Sequence, residues 1–182
     1  MSDATQDPAP PAPEGAPDTV AAGAPPLRFL GQYIKDLSFE APLAPDIFNV
    51  LRQQSPDMEV VLDAAVRQIE GPVFEVTITA SLDAKAGDKT AFILELVYGC
   101  VAEVNAQRVP QEYAHSLLLI EAPRHMYPFV RQIVAEVTGS GGFPPLILQM
   151  VDFTELYRRK FAPKDGAGAG AEQQPAPEPA IH

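Results

Sequence analysis

The chain has 182 residues, 46% of them hydrophobic, which is enough for one domain with a filled core. Its 24 acids against 13 bases leave a formal charge of −11 at pH 7, a balance that excludes phosphate-driven binding to nucleic acid. The single cysteine excludes an intrachain disulfide, and no apolar run approaches the length of a membrane span. The N-terminus lacks the early cation and apolar core of a secretory signal, so a cytoplasmic protein is expected.

Residues 1–26 hold seven of the 20 prolines, four acids and no Lys or Arg. Such a segment cannot bury enough apolar surface to offset its ordering entropy, and a disordered acidic tail is expected there. Residues 163–182 share the Pro, Ala and Gly bias and are expected to form a flexible C-terminal tail. The tails carry −4 and −2 of the charge, so the domain expected at 27–162 keeps −5.

Within that domain the first element is LRFLGQYIKDLSFE, whose two-residue period predicts a strand. It sets Phe29, Tyr33, Leu37 and Phe39 against Gln32, Asp36, Ser38 and Glu40. MEVVLDAAVRQIE repeats the alternation, with Met58, Val60, Leu62 and Val66 opposite Glu59, Asp63 and Arg67. FEVTITASL sets Phe74, Val76 and Ile78 against Glu75, Thr77 and Thr79, and DAKAGDK supplies a turn. AFILELVYGCVAEV is apolar on both faces, as expected of a strand covered on both sides.

After Pro110 the period changes to that of helices. QEYAHSLLLI predicts a short helix broken at Ala122 and Pro123, and MYPFVRQIVAEVTG a second one with Met126, Val130, Ile133, Val134 and Val137 on one stripe. Pro128 is expected in the first turn of that second helix. GSGGFPP reads as a loop, and DFTELYRRKF as a last helix capped by Asp152, with Arg158, Arg159 and Lys160 at its C-terminal end. Strands followed by helices predict an α+β domain: a four-stranded antiparallel sheet with helices packed on one face.

No constellation in this sequence points to catalysis. His115, His125 and His182 are scattered, without partners at ligand or triad spacing. Cys100 lies in a strand pattern and reads as a small buried hydrophobe, and GSGGFPP follows a helix where a phosphate loop would open one. No enzyme activity, metal or cofactor is expected. Asp36 and Glu40 stand on the same face of a strand, roughly 13 Å apart along it, with Glu95 of matching parity. Such acids can keep a sheet face soluble and discourage edge pairing, or attract a basic partner.

KDLSFEAPLAP, TAFILELVYGCV, MYPFVRQIV and GGFPPLILQMVDFTELY resemble, in order and over about residues 27–161, the motifs of the SecB family of bacterial protein-export chaperones. The chain departs from better-known members in its long Pro-rich N-terminal segment and in having no tryptophan between the first two strands, where FNVLRQQSPDM stands. The resemblance implies an ATP-independent holdase, a homotetramer built as a dimer of dimers with helices sandwiched between sheets. It would keep precursors unfolded and deliver them to the SecA motor. It also implies that the motor's C-terminal zinc-containing region docks on Asp36, Glu40, Ile93 and Glu95. Clients would bind at Phe39, Ile47, Phe48, Met58, Val60, Leu62, Leu156, Tyr157 and Phe161, and Leu94, Leu96 and Tyr98 would lie near the contact between dimers. The alternative within the same resemblance is a SecB-like chaperone dedicated to a toxin–antitoxin pair.

Overall fold

The computed structural model describes residues 24–161. The two tails expected at the ends lie outside these residues, apart from 24–26. The elements run β1 (Leu27–Glu40), α1 (Ile47–Leu51), β2 (Asp57–Glu70), β3 (Val73–Ala86), β4 (Lys89–Val104), α2 (Gln111–Ser140) and α3 (Phe153–Phe161). The strands form one antiparallel sheet in the order β1-β4-β3-β2, the α+β architecture expected. Both hairpins turn at glycines with left-handed backbone, Gly71 at φ 51° and Gly87 at φ 60°, a conformation that costs a residue without Cβ little.

One face of the sheet, here the inner face, carries α2. On it Val76, Ile78, Ala80 and Leu82 of β3 and Leu94, Leu96 and Cys100 of β4 are essentially fully buried. They lie against a helix whose Leu118, Ala122, Met126, Val130 and Val134 are equally buried, so the stripe read from the sequence is the core. Because α2 packs mainly on the two central strands, the inner faces of β1 and β2 are only partly covered. Ile34 and Leu37 on β1 and Val60 on β2 remain exposed.

Two expectations need correction. First, α2 is one helix of 30 residues that runs through both Pro123 and Pro128. A proline inside a helix costs about 3 kcal/mol; here Leu118, Leu119, Ala122, Pro123, Met126 and Tyr127 form a continuous buried face on both sides of the first proline. Packing on that scale overrides a local break signal. Second, β1 does not alternate strictly. Extra residues are absorbed between Phe29 and Gly31 and between Ile34 and Asp36. Each bulge turns the following residues over. Between the two, Gln32 lies on the inner face opposite Cys100, where its side chain accepts from Tyr98 Oη, and Tyr33 lies on the outer face opposite Gly99. The second bulge restores the expected parity, so Leu37 and Phe39 face inward.

The segment after α2 is folded back on itself by Thr138. Its buried Oγ1 donates to the Val134 carbonyl and accepts from the Leu146 amide at 3.0 Å. This return brings Phe143 onto Phe39, Phe48 and Phe92, with ring centroids 4.9–6.1 Å apart. Gly141 faces the Phe39 ring too closely to carry a Cβ. At the other end Asp152 caps α3 as expected, accepting from the amides of Thr154 and Glu155, and those bonds hold its carboxyl below the usual aspartate range.

Leu94 sits at the centre of this core. Leu94→Ala is expected to lower stability by about 2–5 kcal/mol, read as a shift in the urea midpoint at unchanged slope.

Candidate docking face and apolar groove

On the outer face Asp36 stands opposite Val97, Ser38 opposite Glu95 and Glu40 opposite Ile93. Directly opposed residues share a face, so Asp36, Glu40, Glu95 and Ile93 are brought together on the side of the sheet away from α2. The three acids are exposed and Ile93 is half-buried. None of the three carboxylates makes an ion pair among the described residues. Exposed acids in that state keep their hydration and their full reach toward a cation in solution.

At the other end of the same face two acids, Glu75 and Glu103, are engaged by cations. Arg28 pairs with Glu103, and Lys35 and Arg67 both pair with Glu75, which also accepts from Tyr33 Oη. Glu75 is 5% exposed although it points away from the core. Tyr33, Lys35 and Arg67 provide the donors that a buried carboxylate requires. These hydrogen bonds, Tyr33 first, then Lys35 and Arg67, hold the Glu75 carboxyl at about 2, and the bond to Glu75 pushes the Tyr33 phenol up to about 12. Sequence reading placed Glu75 only as one more outward polar residue; its three partners converge through bulges and cross-strand pairing that no periodicity reveals.

The inner face carries a second surface. Met58, Val60 and Leu62 lie along the helix side of the edge strand β2, opposite Ala84, Leu82 and Ala80. Val60 is 40% exposed, while Met58 and Leu62 are half-buried against the core. At one end this row meets a cavity of about 340 Å³ lined by Leu51, Met58, Phe92, Phe143, Pro144 and Leu146 among others. At the other end it reaches Ala64, which lies with Leu156, Tyr157 and Phe161 of α3. Met58 to Ala64 spans roughly 20 Å of extended chain. Phe39 and Phe48 adjoin the cavity through Phe143. Ile47 does not belong to this surface: it is 1% exposed, inside the core. Phe143, Phe92, Leu51 and Leu146 were missed as lining residues; the GGFPP run was the available signal.

Leu94 and Leu96 have no exposed surface and Tyr98 is 7% exposed, all three beneath α2. Within the protomer they offer no appreciable area to another copy, and any influence on assembly runs through the helix above them. His115 packs between Tyr157 and Phe161, and His125 against Phe29, so both join elements. Burial pushes the Cys100 thiol up to about 11, far from a reactive thiolate. Among the described residues no group of three His, Cys, Asp or Glu side chains is placed to hold a metal, and no helix is long and apolar enough to cross a membrane.

The sheet thus carries an open apolar strip on one side and, on the other, an acidic row without ion pairs among the described residues, surfaces of the kind that belong to a binding protein. The chain belongs to the SecB family: the model for preprotein translocase subunit SecB matches residues 21–164. It is 45% identical over 135 residues to the protein-export protein SecB of Rhodospirillum centenum, covering 74% of this chain and 79% of that one. Against the protein of the same name from Afipia carboxidovorans it is 42% identical over 167 residues, 89% of this chain and 98% of the other. Among solved structures, a SecB-like chaperone of Mycobacterium tuberculosis in complex with an antitoxin peptide shares the fold, with a TM-score of 0.58 at 16% identity over 69% of this chain and 90% of its own.

Because the Glu75 carboxyl titrates near 2 in the folded chain against 4.5 for the ordinary group, its ionised form is the one the fold favours. That stability is fully present above about pH 4.5 and is lost as pH falls toward 2. Glu75→Gln is therefore expected to be less stable than the parent at neutral pH, with the gap closing between about pH 4.5 and 2, as read from denaturant midpoints at successive pH values.

Proposed function

We propose that the chain is an ATP-independent holdase that keeps precursor proteins unfolded in the cytoplasm and delivers them to the SecA motor. SecA docks on Asp36, Glu40, Ile93 and Glu95, and clients lie along the strip from Phe39, Phe48 and Met58 through Val60 and Leu62 to Leu156, Tyr157 and Phe161. The observation that carries this reading is the exposure, on the face opposite α2, of three carboxylates that make no ion pair among the described residues, in a chain of the SecB family. A basic partner is drawn to that face at long range, and Ile93, level with Glu40, gives it an apolar contact at the end of the row.

Holding many unrelated chains requires apolar area and adaptable side chains instead of a few fixed hydrogen bonds. Burying about 400 Å² of apolar surface yields roughly 10 kcal/mol before ordering costs, which leave moderate and reversible binding. Assembly into a homotetramer is supported by the uncovered edge of β1, where Leu30, Ile34 and Leu37 are exposed. Identity of 42–45% to export proteins favours export over service to a toxin–antitoxin pair, a reading supported only by likeness of fold.

Two measurements test the two surfaces separately. Charge reversal by Asp36→Lys with Glu40→Lys is expected to weaken SecA binding in calorimetry by at least about tenfold while client affinity is kept; unchanged SecA affinity refutes the docking face. Met58→Ser, Val60→Ser and Leu62→Ser together are expected to reduce suppression of aggregation of a slow-folding precursor, with SecA affinity retained. A triple variant that protects the precursor as well as the parent refutes the groove.

A further inference from the structure

Lys35 is the extra residue of the second bulge in β1: its neighbours Ile34 and Asp36 pair with the adjacent residues Tyr98 and Val97 of β4, and Lys35 pairs with neither. An unpaired residue in a strand can be taken up at more than one position, and each move turns over the residues it passes. Were the extra residue taken up at Leu37, Phe39 would keep its place under Phe143 while Asp36 turned to the inner face. Packing of Phe39 therefore fixes the end of β1 but leaves the side of Asp36 undetermined.

What fixes it is on the outer face. Lys35 Nζ lies 2.9 and 3.0 Å from the two carboxylate oxygens of Glu75 on β3, reaching across β4. Tyr33, two residues earlier, donates to the same carboxylate. Its ring can lie across β4 because Gly99 has no side chain; a Cβ there would come within 2.9 Å of it. Arg67 of β2 holds Glu75 from the other side at 2.8 Å. A carboxylate that is nearly fully buried and held from both flanking directions is a fixed post, and β1 is attached to it on the residue that forms the bulge.

We propose that Glu75 is a positioning residue for SecA docking: by pinning the extra residue of β1 at Lys35, it keeps Asp36 on the docking face. The proposal rests on the docking reading above and adds to it a group that SecA need not touch. It also predicts a sign opposite to that of simple charge. Removing a cation beside an acidic row ought to strengthen attraction for a basic partner, whereas loss of the pin weakens it.

The test is calorimetry of purified SecA with the full chain carrying Lys35→Ala, Lys35→Arg, Gly99→Ala or Asp36→Ala, and with Lys35→Ala and Asp36→Ala combined. Lys35→Ala is expected to weaken SecA binding about tenfold, within the range of indirect coupling, and Lys35→Arg to stay within about twofold of the parent. In the Asp36→Ala background Lys35→Ala is expected to add little, because the two changes act on one contact. Amides of residues 34–38 should exchange faster in Lys35→Ala and Gly99→Ala, with those of α2 unchanged. Neither variant strips Glu75 bare: the first leaves it Tyr33 and Arg67, the second Lys35 and Arg67. Equal or tighter SecA binding by Lys35→Ala, or losses that add independently to those of Asp36→Ala, overturns the proposal. If those results appear while reversal at Asp36 and Glu40 still weakens binding, the docking face stands and only the positioning role falls. If reversal at Asp36 and Glu40 has no effect, the docking reading fails and the positioning role with it.

Discussion

A side chain on a strand faces one side of its sheet, and an additional residue in that strand exchanges the sides of everything beyond it. β1 contains two such residues, and their effects cancel by the time the chain reaches Asp36. The acidic row and the Phe39 anchor on its reverse both depend on that cancellation. A strand with one bulge would have put Leu37 and Phe39 in water and Asp36 and Glu40 under the helices, where unpaired carboxylates are costly. The arrangement of charge on the outer face is thus a consequence of where β1 departs from regularity.

The outer face divides into two electrical regimes. Around Glu75 the carboxylate is hydrogen-bonded from two sides by Tyr33, Lys35 and Arg67, which braces β1, β3 and β2 against one another. Around Asp36, Glu40 and Glu95 charge is left unmatched and solvated. For the docking proposed above, a braced strand beside freely hydrated groups limits the ordering that encounter requires. The inner face reaches adaptability by other means: a strip left open because one long helix covers two strands of a four-stranded sheet.

Much of this was legible in the sequence, and the exceptions have physical causes. Alternation identified the inner faces of β2 and β3 and both ends of β1, because a strand buried on one side must repeat every two residues. It misplaced Gln32 and Tyr33, because a bulge is a relation between two strands and one strand's sequence does not display its partner. The proline at 123 was read as an end to the helix; the burial of Ala122, Pro123 and Met126 on β3 and β4 is a tertiary gain that local propensity omits. The acids at 36, 40 and 95 were legible by parity and motif. The cavity at Phe143 was not, since it depends on the return of the chain after α2 through Thr138. Ile47 was expected in the groove and is core, because apolar character does not distinguish a side chain that packs from one that waits for a ligand.

Lys160 donates both to Asp63 and to the backbone carbonyl of Ala64 on β2. β2 borders the sheet, and a protein that leaves such a border open beside greasy residues invites its own copies to stack there. A carbonyl already engaged by an ammonium group is less accessible to an intruding backbone, and the charge beside it is expensive to desolvate. The last helix thus does more than close the groove at one end: it obstructs the β2 edge at one point, while the β1 edge on the opposite side of the sheet stays uncovered.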